Sequence, residues 1–310
     1  MLRSLRVNLW RTIAPKHKTG TLRFAVYRPG GNDTGLISGV IRDAQHKKNI
    51  AAALLEQYSS IEQVGFVNND PKNAELMMAG GEFCGNATSS AAFQILQGKP
   101  GTIDIKVSGV KNKLRAGVTP SGDGFSQMPI YSDPSAIAID TNNPQNALVS
   151  LEGITHYIDF DIAQIRGLTI DEIKAKARAK MAELGIDRHV CCGIIYVDQR
   201  EDRCAIHPIV YVRDIDTLYY ETACGSGTTA LGQVLAYTSG RSIIEKPILQ
   251  PSGMSIKVTV KFDRKVFTYA QIQSSVEKLH EGVLELAHET KRPLYMIATS
   301  RKILHSIIRN

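Results

Sequence analysis

Charge is missing from two stretches of this sequence. Between Phe83 and Gly98 there is no Asp, Glu, Lys or Arg, and between Thr222 and Gly240 there is none either. Both stretches read as helices, and a helix with no polar face has no side to give to water. Each should therefore be surrounded by protein. Other absences narrow the class. No apolar run approaches the roughly 18–20 residues of a membrane span. Cysteines are few and odd in number, five in 310 residues, which argues against a secreted disulfide framework and for reducing cytosol. No two stand in CxxC or CxxxC spacing, so no metal site is expected. Acids are absent from residues 1–20 and 291–310, each of which holds five Lys or Arg. The chain carries +7 overall; taking +5 from each end leaves 21–290 at −3. The basicity belongs to the ends, and a nucleic-acid groove in the body is excluded as a leading idea.

What is present is a soluble globular composition, 43% hydrophobic and 22% charged, long enough for two domains of ordinary size. From Thr21 short β-rich runs alternate with turns: "LRFAVYRPGGND", "LISGVI", "VGFVNND" and "AELMMAGG". A helix is predicted over about 85–98, stopped by Gly98 and Pro100. More strands lead to "DPSAIAIDTNNPQN" (133–146), which reads as a linker. The plan then repeats. "TIDEIKAKARAKMAELG" is an amphipathic helix with a glycine end signal, "HVCCGIIYVDQ" and "CAIHPIVYVRDI" are strands, and the second charge-free helix covers about 225–239. Residues 1–20 put Leu2, Leu5, Leu9 and Ile13 on one helical face among arginines. They read as a short docking helix or, as the second choice, a mitochondrial targeting segment.

Each charge-free helix starts just after a cysteine: Cys84-Gly85 in one, Cys224-Gly225 in the other, with Thr88 matching Thr228. Free N–H groups and the positive end of the dipole collect at a helix start. A thiol there is expected to have a lowered pKa, and the loop N–H groups can hold a carboxylate. If the two halves face each other, two helix N-termini converge on one carboxylate and two thiols flank the carbon beside it. That arrangement suits removal of an α-proton from one side and its return from the other.

The motifs "EFCGNA" and "ETACGSGT" resemble those of the diaminopimelate epimerase family of PLP-independent amino-acid racemases, and the similarity runs over about 21–287. "RPGGNDT", "LEGITHYIDFD", "YVRDIDTLYYETACGSG" and "VEKLHEGVLEL" follow in the family's order. The resemblance implies an α/β fold of the α+β kind, with two pseudo-symmetric domains, each a curled, mostly antiparallel sheet around a central buried helix. It implies Cys84 and Cys224 as the acid–base pair, with His156 supporting them. For substrate binding it implies Asn32 from the N-terminal turn, Gly85, Asn86, Gly225 and Ser226 as a carboxylate cradle, and Arg213 on the substrate side. No cofactor and no metal are implied.

Departures from the family pattern bear on the substrate. Asparagines that would bind a distal carboxylate are replaced at approximately Met78, Ile154 and Cys191, expected to line the pocket, and the glutamate before the arginine is Val212. A second carboxylate would be poorly paired there. "MMAGGEFCGNA" and "YETACGSG" are closer to the histidine-racemase branch, with Glu221 or Glu82 as a partner for an imidazole or as a helix-end charge. The expected activity is histidine racemisation. The alternatives are epimerisation of diaminopimelate or another diamino acid, and, from another class, a non-catalytic amino-acid-binding or thiol redox-sensing protein. The expected partner is a small amino acid, with no nucleic acid and no membrane; a homodimer is compatible with the sequence, and the expected setting is the cytoplasm. The expected layout is 1–20 as a basic extension, 21–145 as one half, 146–270 as the other, 271–287 as a closing strand returning to the first, and 288–310 as a basic tail.

Overall fold

Alternation dictates the strands. Along Ser255–Asp263 the side chains of Ile256, Val258, Val260 and Phe262 point inward while Lys257 and Lys261 face solvent, the period of two that a half-buried strand requires. In the computed structural model, which describes residues 21–286, seventeen strands form one hydrogen-bonded sheet. The readings made for residues 1–20 and 288–310 lie outside the described residues. Among the described residues no helix is long and apolar enough to cross a membrane.

The first part of the sheet contains β1 (Thr21–Pro29), β2 (Thr34–Ser38), β3 (Gln63–Asn68), β4 (Glu75–Met78), β5 (Gly101–Val107), β6 (Leu114–Val118) and β7 (Gly124–Gln127). Pairing alternates from antiparallel β1–β2 to parallel β2–β3, antiparallel β3–β4 and parallel β4–β5, then stays antiparallel through β7. The second part contains β8 (Ile137–Ile139), β9 (Ala147–Leu151), β10 (Ile154–Asp159), β11 (Cys191–Gln199), β12 (Cys204–Val212), β13 (Thr217–Tyr220), β14 (Ile243–Leu249), β15 (Ser255–Asp263) and β16 (Val266–Ser274). β16 pairs antiparallel with β7, which joins the two parts, and β17 (Val276–Glu285) pairs with β1.

The two charge-free segments are helices enclosed by this sheet. In α2 (Gly85–Ile95), every residue from Gly85 to Ala92 is buried. In α4 (Gly225–Ser239), every residue from Gly225 to Val234 is buried. Their inward packing against β6, β7, β15 and β16 forms the main core, with Met128, Ile256, Phe267 and Ile272 fully or nearly buried. This is the mixed, mostly antiparallel α/β architecture expected of the sequence. α3 (Ile170–Glu183) lies outside the sheet, started by a capping box between Thr169 and Glu172. It covers a smaller cluster with Tyr157, Cys192 and Tyr196.

Two segments differ from expectation. The stretch 133–146, read as a linker, contains β8, whose Ile137 and Ile139 pair with Val149 and Ala147. An additional helix, α1 (Ala44–Gln57), is capped by Asp43.

Glycine is required below the approach to α2. Gly109 has φ +78°, and a Cβ there would lie 2.5 Å from Phe83 N. Gly109→Ala should therefore destabilise the fold by about 2–4 kcal/mol, combining left-handed strain with a backbone clash. The urea midpoint measures it.

Candidate active site

Cys84 and Cys224 occupy the N-cap positions of α2 and α4. Each has extended φ and ψ, and each sulfur takes the place of the usual Ser, Thr, Asp or Asn oxygen. Cys84 Sγ accepts from Ala87 N at 3.3 Å and Cys224 Sγ from Gly227 N at 3.3 Å. The Thr88 and Thr228 hydroxyls donate to the Cys84 and Cys224 carbonyls, both at 2.7 Å. The two helix starts are thus built alike, as the repeated Cys-Gly pattern predicts.

They also converge. A Cβ on Gly85 or Gly225 would press on the same atom, Ile272 Cδ1, at 2.9 and 2.5 Å. Asn86 Nδ2 donates to Ala223 O at 2.9 Å, tying one helix start to the approach of the other. Between them lies a cavity of about 310 Å³, lined by Cys84, Gly85, Asn86, Cys224, Gly225 and Ser226. The first N–H groups of a helix have no carbonyl one turn earlier to bond, so this wall is rich in donors. All five cysteines are free thiols.

The remaining candidates are distributed unevenly. Ile154, Cys191, Glu82 and Glu221 line the cavity. His156 lies behind it, with Nε2 at 2.8 Å from Ser226 Oγ, which is 3.5 Å from Cys224 Sγ. The ring fits because its register partner on β11 is Gly193, where a Cβ would be 2.5 Å from His156 Nδ1. Asn32 is buried away from the cavity lining and donates to Glu62 Oε2 at 2.7 Å. Met78 is fully buried behind the wall. Arg213 sits just after β12, exposed, bound to Asp214 and to the Arg188 carbonyl rather than to the cavity.

Sequence reasoning missed Glu62 and Gln63, which also line the cavity. Glu62 accepts from Thr222 N at 3.1 Å, and Gln63 Nε2 donates to Glu221 Oε1 at 2.9 Å. Their signal was faint: two polar residues opening the apolar strand "VGFVN". Among the described residues no cluster of three His, Cys, Asp or Glu is placed to hold a metal ion.

The family model of the histidine racemase CntK N-terminal domain matches residues 21–284. The chain belongs to that family. A histidine racemase of Fusobacterium nucleatum subsp. nucleatum is 29% identical over 255 residues, covering 76% of this chain and 89% of that protein. A histidine racemase of Staphylococcus aureus is 27% identical over 271 residues, covering 84% and 96%. The fold is shared with the crystal structure of a hydroxyproline epimerase from Agrobacterium vitis, at a TM-score of 0.57 and 11% identity, covering 87% of this chain and 94% of that one. The chain is an isomerase of the PLP-independent amino-acid racemase class.

The electrostatics of this racemase correct one expectation. Both cap thiols were expected to have lowered pKa values. Burial instead pushes Cys84 and Cys224 well above the ordinary thiol range, and the N–H groups at the caps offset only part of that. Nearby carboxylates add to the rise: Glu221 for both thiols and Glu82 for Cys84. Burial also raises Glu221 to about 8 and Glu82 to about 7. It lowers His156 to about 3, which keeps that ring neutral at working pH.

Glu82 carries a stability consequence. The folded state holds its proton up to about pH 7, whereas the ordinary value is 4.5. Stability therefore falls as pH rises from 4.5 through 7. Glu82→Gln should stabilise the protein by up to about 3 kcal/mol above that range and leave it nearly unchanged below 4.5. Urea denaturation at the two ends of the range checks the sign.

Proposed function

We propose that this chain racemises histidine without a cofactor, using Cys84 and Cys224 as the two acid–base groups on opposite faces of the α-carbon. The observation that carries the reading is the single cavity lined by two thiols that cap two converging, buried helices. The α-carboxylate is held by N–H groups of Gly85, Asn86, Gly225 and Ser226. The Asn86 side chain is committed to Ala223 O, so its backbone N–H is what it offers an anion. Those donors and the two helix dipoles stabilise the charge that develops as the α-proton leaves.

Raised thiol pKa values serve this chemistry. A thiolate formed in a dry cavity is a stronger base than one in water, as a weakly acidic C–H demands. Glu221, which lines the same cavity as Cys224 and acts on its titration, takes that thiol's proton and leaves a thiolate. Cys84 then delivers a proton from the other side. His156, neutral and bonded to Ser226, positions Ser226 beside Cys224. Arg213, held in its own contacts, and Asn32, which holds Glu62, act only through neighbours in this scheme.

The side-chain end of the cavity favours histidine. Among the described residues three carboxyl groups, Glu62, Glu82 and Glu221, line it, against Lys48 as the one cation on the wall. An imidazole with N–H donors is matched there, whereas the second carboxylate of diaminopimelate is repelled by each wall carboxyl that ionises and finds no strong donor in the apolar Ile154 and Cys191. Both curated relatives named above are histidine racemases. The same reading divides the body at about 145/146, with β17 returning to β1, and assigns a free amino acid as partner in the cytoplasm. Chiral chromatography after incubation with a panel of L-amino acids and diaminopimelate tests it. Histidine should be inverted fastest, and inversion of none would refute the proposal.

A further inference from the structure

The hydrogen bonds around Cys84 lead across the cleft. Cys84 donates its S–H to Gln63 Oε1. The nitrogen of the same amide donates to Glu221 Oε1 at 2.9 Å, and Glu221 lines the cavity with Cys224 and acts on its titration. Gln63 thus stands between one thiol and the base of the other. Its neighbour Glu62 is anchored from both sides, accepting from Asn32 Nδ2 at 2.7 Å and Thr222 N at 3.1 Å. Gln63 opens β3 from this anchored point.

We infer that Gln63 is a positioning residue that couples the two thiols, its amide pairing Cys84 in either protonation state. The inference rests on the two-thiol reading above. A primary amide carries an acceptor and donors at one planar end. As it stands, the oxygen accepts from a protonated Cys84 and the nitrogen donates to an ionised Glu221. Turned over, the nitrogen donates to a Cys84 thiolate and the oxygen accepts from a protonated Glu221.

The proton count requires both arrangements. At rest Cys84 and Cys224 are thiols and Glu221 is a carboxylate. Cys224 passes its proton to Glu221, the Cys224 thiolate takes the α-proton, and Cys84 gives its own proton to the opposite face. At the end Cys84 is a thiolate, Cys224 a thiol and Glu221 an acid. That form accepts the product enantiomer for the reverse reaction, and the turned amide satisfies it. Neither a methionine nor a carboxylate at position 63 can do both.

Other groups also set the Cys84 titration. Glu82 and Glu221 act on it electrostatically, and the N–H groups of Asn86 and Ala87 oppose them. Glu62 acts on Glu221 and Lys47 acts on Glu82, while Lys48 lines the cavity from α1.

Two variants test the bridge in the full chain. Gln63→Met keeps the length and removes both polar atoms. Its kcat for histidine should fall about 10²-fold, with KM nearly unchanged because the polar atoms of the amide are engaged by Cys84 and Glu221. Gln63→Glu sets a second carboxylate against Cys84. Alkylation of Cys84 by iodoacetamide, followed by peptide mass spectrometry, should slow by about tenfold or more at fixed pH. The alkylation needs no turnover. If the unsubstituted protein inverts no amino acid, the racemase reading fails, and an unchanged alkylation rate would then refute the bridge as well. If the protein racemises histidine but Gln63→Met keeps its kcat, or raises KM instead, the bridge alone is refuted. The same holds if Gln63→Glu alkylates at the original rate.

Discussion

Serine in place of Cys84 or of Cys224 should each lower histidine racemisation by about 10³-fold or more, within the range lost with a positioned acid–base group. The loss should be chemical rather than structural. Serine is among the preferred N-cap residues, so its oxygen can accept the Ala87 or Gly227 N–H that the sulfur now accepts. The cavity wall keeps its donors, and the helices keep their caps. A serine hydroxyl is a far weaker acid than a thiol, so it neither forms the base nor supplies the proton in time. Thermal melting should therefore stay level or rise while turnover disappears. Chiral chromatography and a melting curve on the same preparations check both halves of the prediction. Near-normal racemisation by both single variants would sink the two-base scheme.

The pH profile should rise through about 8 on its acid side. In the proposed scheme Glu221 must be a carboxylate to accept the Cys224 proton, and burial raises its pKa to about 8. At pH 7 roughly one-tenth of it is ionised, so kcat/KM there should be about a tenth of its plateau. The hydrogen bond from Gln63 and the neighbouring Cys224 lower the Glu221 pKa, while Glu62 and Glu82 raise it. Glu221→Gln should remove this limb and cost about 10²-fold in rate. A limb in the ordinary carboxylate range near 4.5, or one that survives in Glu221→Gln, would show that another group limits the reaction.

The parts of the molecule that could be read from its residues are those where one local rule had no competitor. The charge-free helices could only be enclosed, and α4 runs over Gly225–Ser239 with Gly240 left-handed at its end. The vicinal cysteines of β11 diverge as strand geometry requires: Cys191 lines the cavity, while Cys192 packs in the cluster beneath α3. α1 was harder to see. Its inward face is Lys47, Ile50, Ala51 and Leu54, and a buried lysine beside three alanines blurs the apolar stripe. Asp43, which caps it, was the available signal. β8 was hidden because Ile137 and Ile139 sit among the Pro and Asn residues of a turn-rich stretch.

The site divides in the same way. The cysteines and their glycines announced themselves by repetition. The thiol pKa shift was misjudged because a helix start lowers it while enclosure raises it, and only the finished burial shows that enclosure wins. Glu62 and Gln63 escaped because nothing local in the sequence says that the head of β3 meets Glu221 and Thr222, about 160 residues away. Arg213 looked like a substrate contact by its place in the chain. Its guanidinium is turned to Asp214 and Arg188 instead.

The most direct measurement is the isotopic content of histidine early in the reaction in D₂O. With separate acid and base on opposite faces, D-histidine should appear carrying deuterium at the α-carbon while the remaining L-histidine is still protiated. Deuterium entering the L-histidine pool as fast as the product would mean that one group serves both faces, and the paired thiols would then have no role as opposed bases.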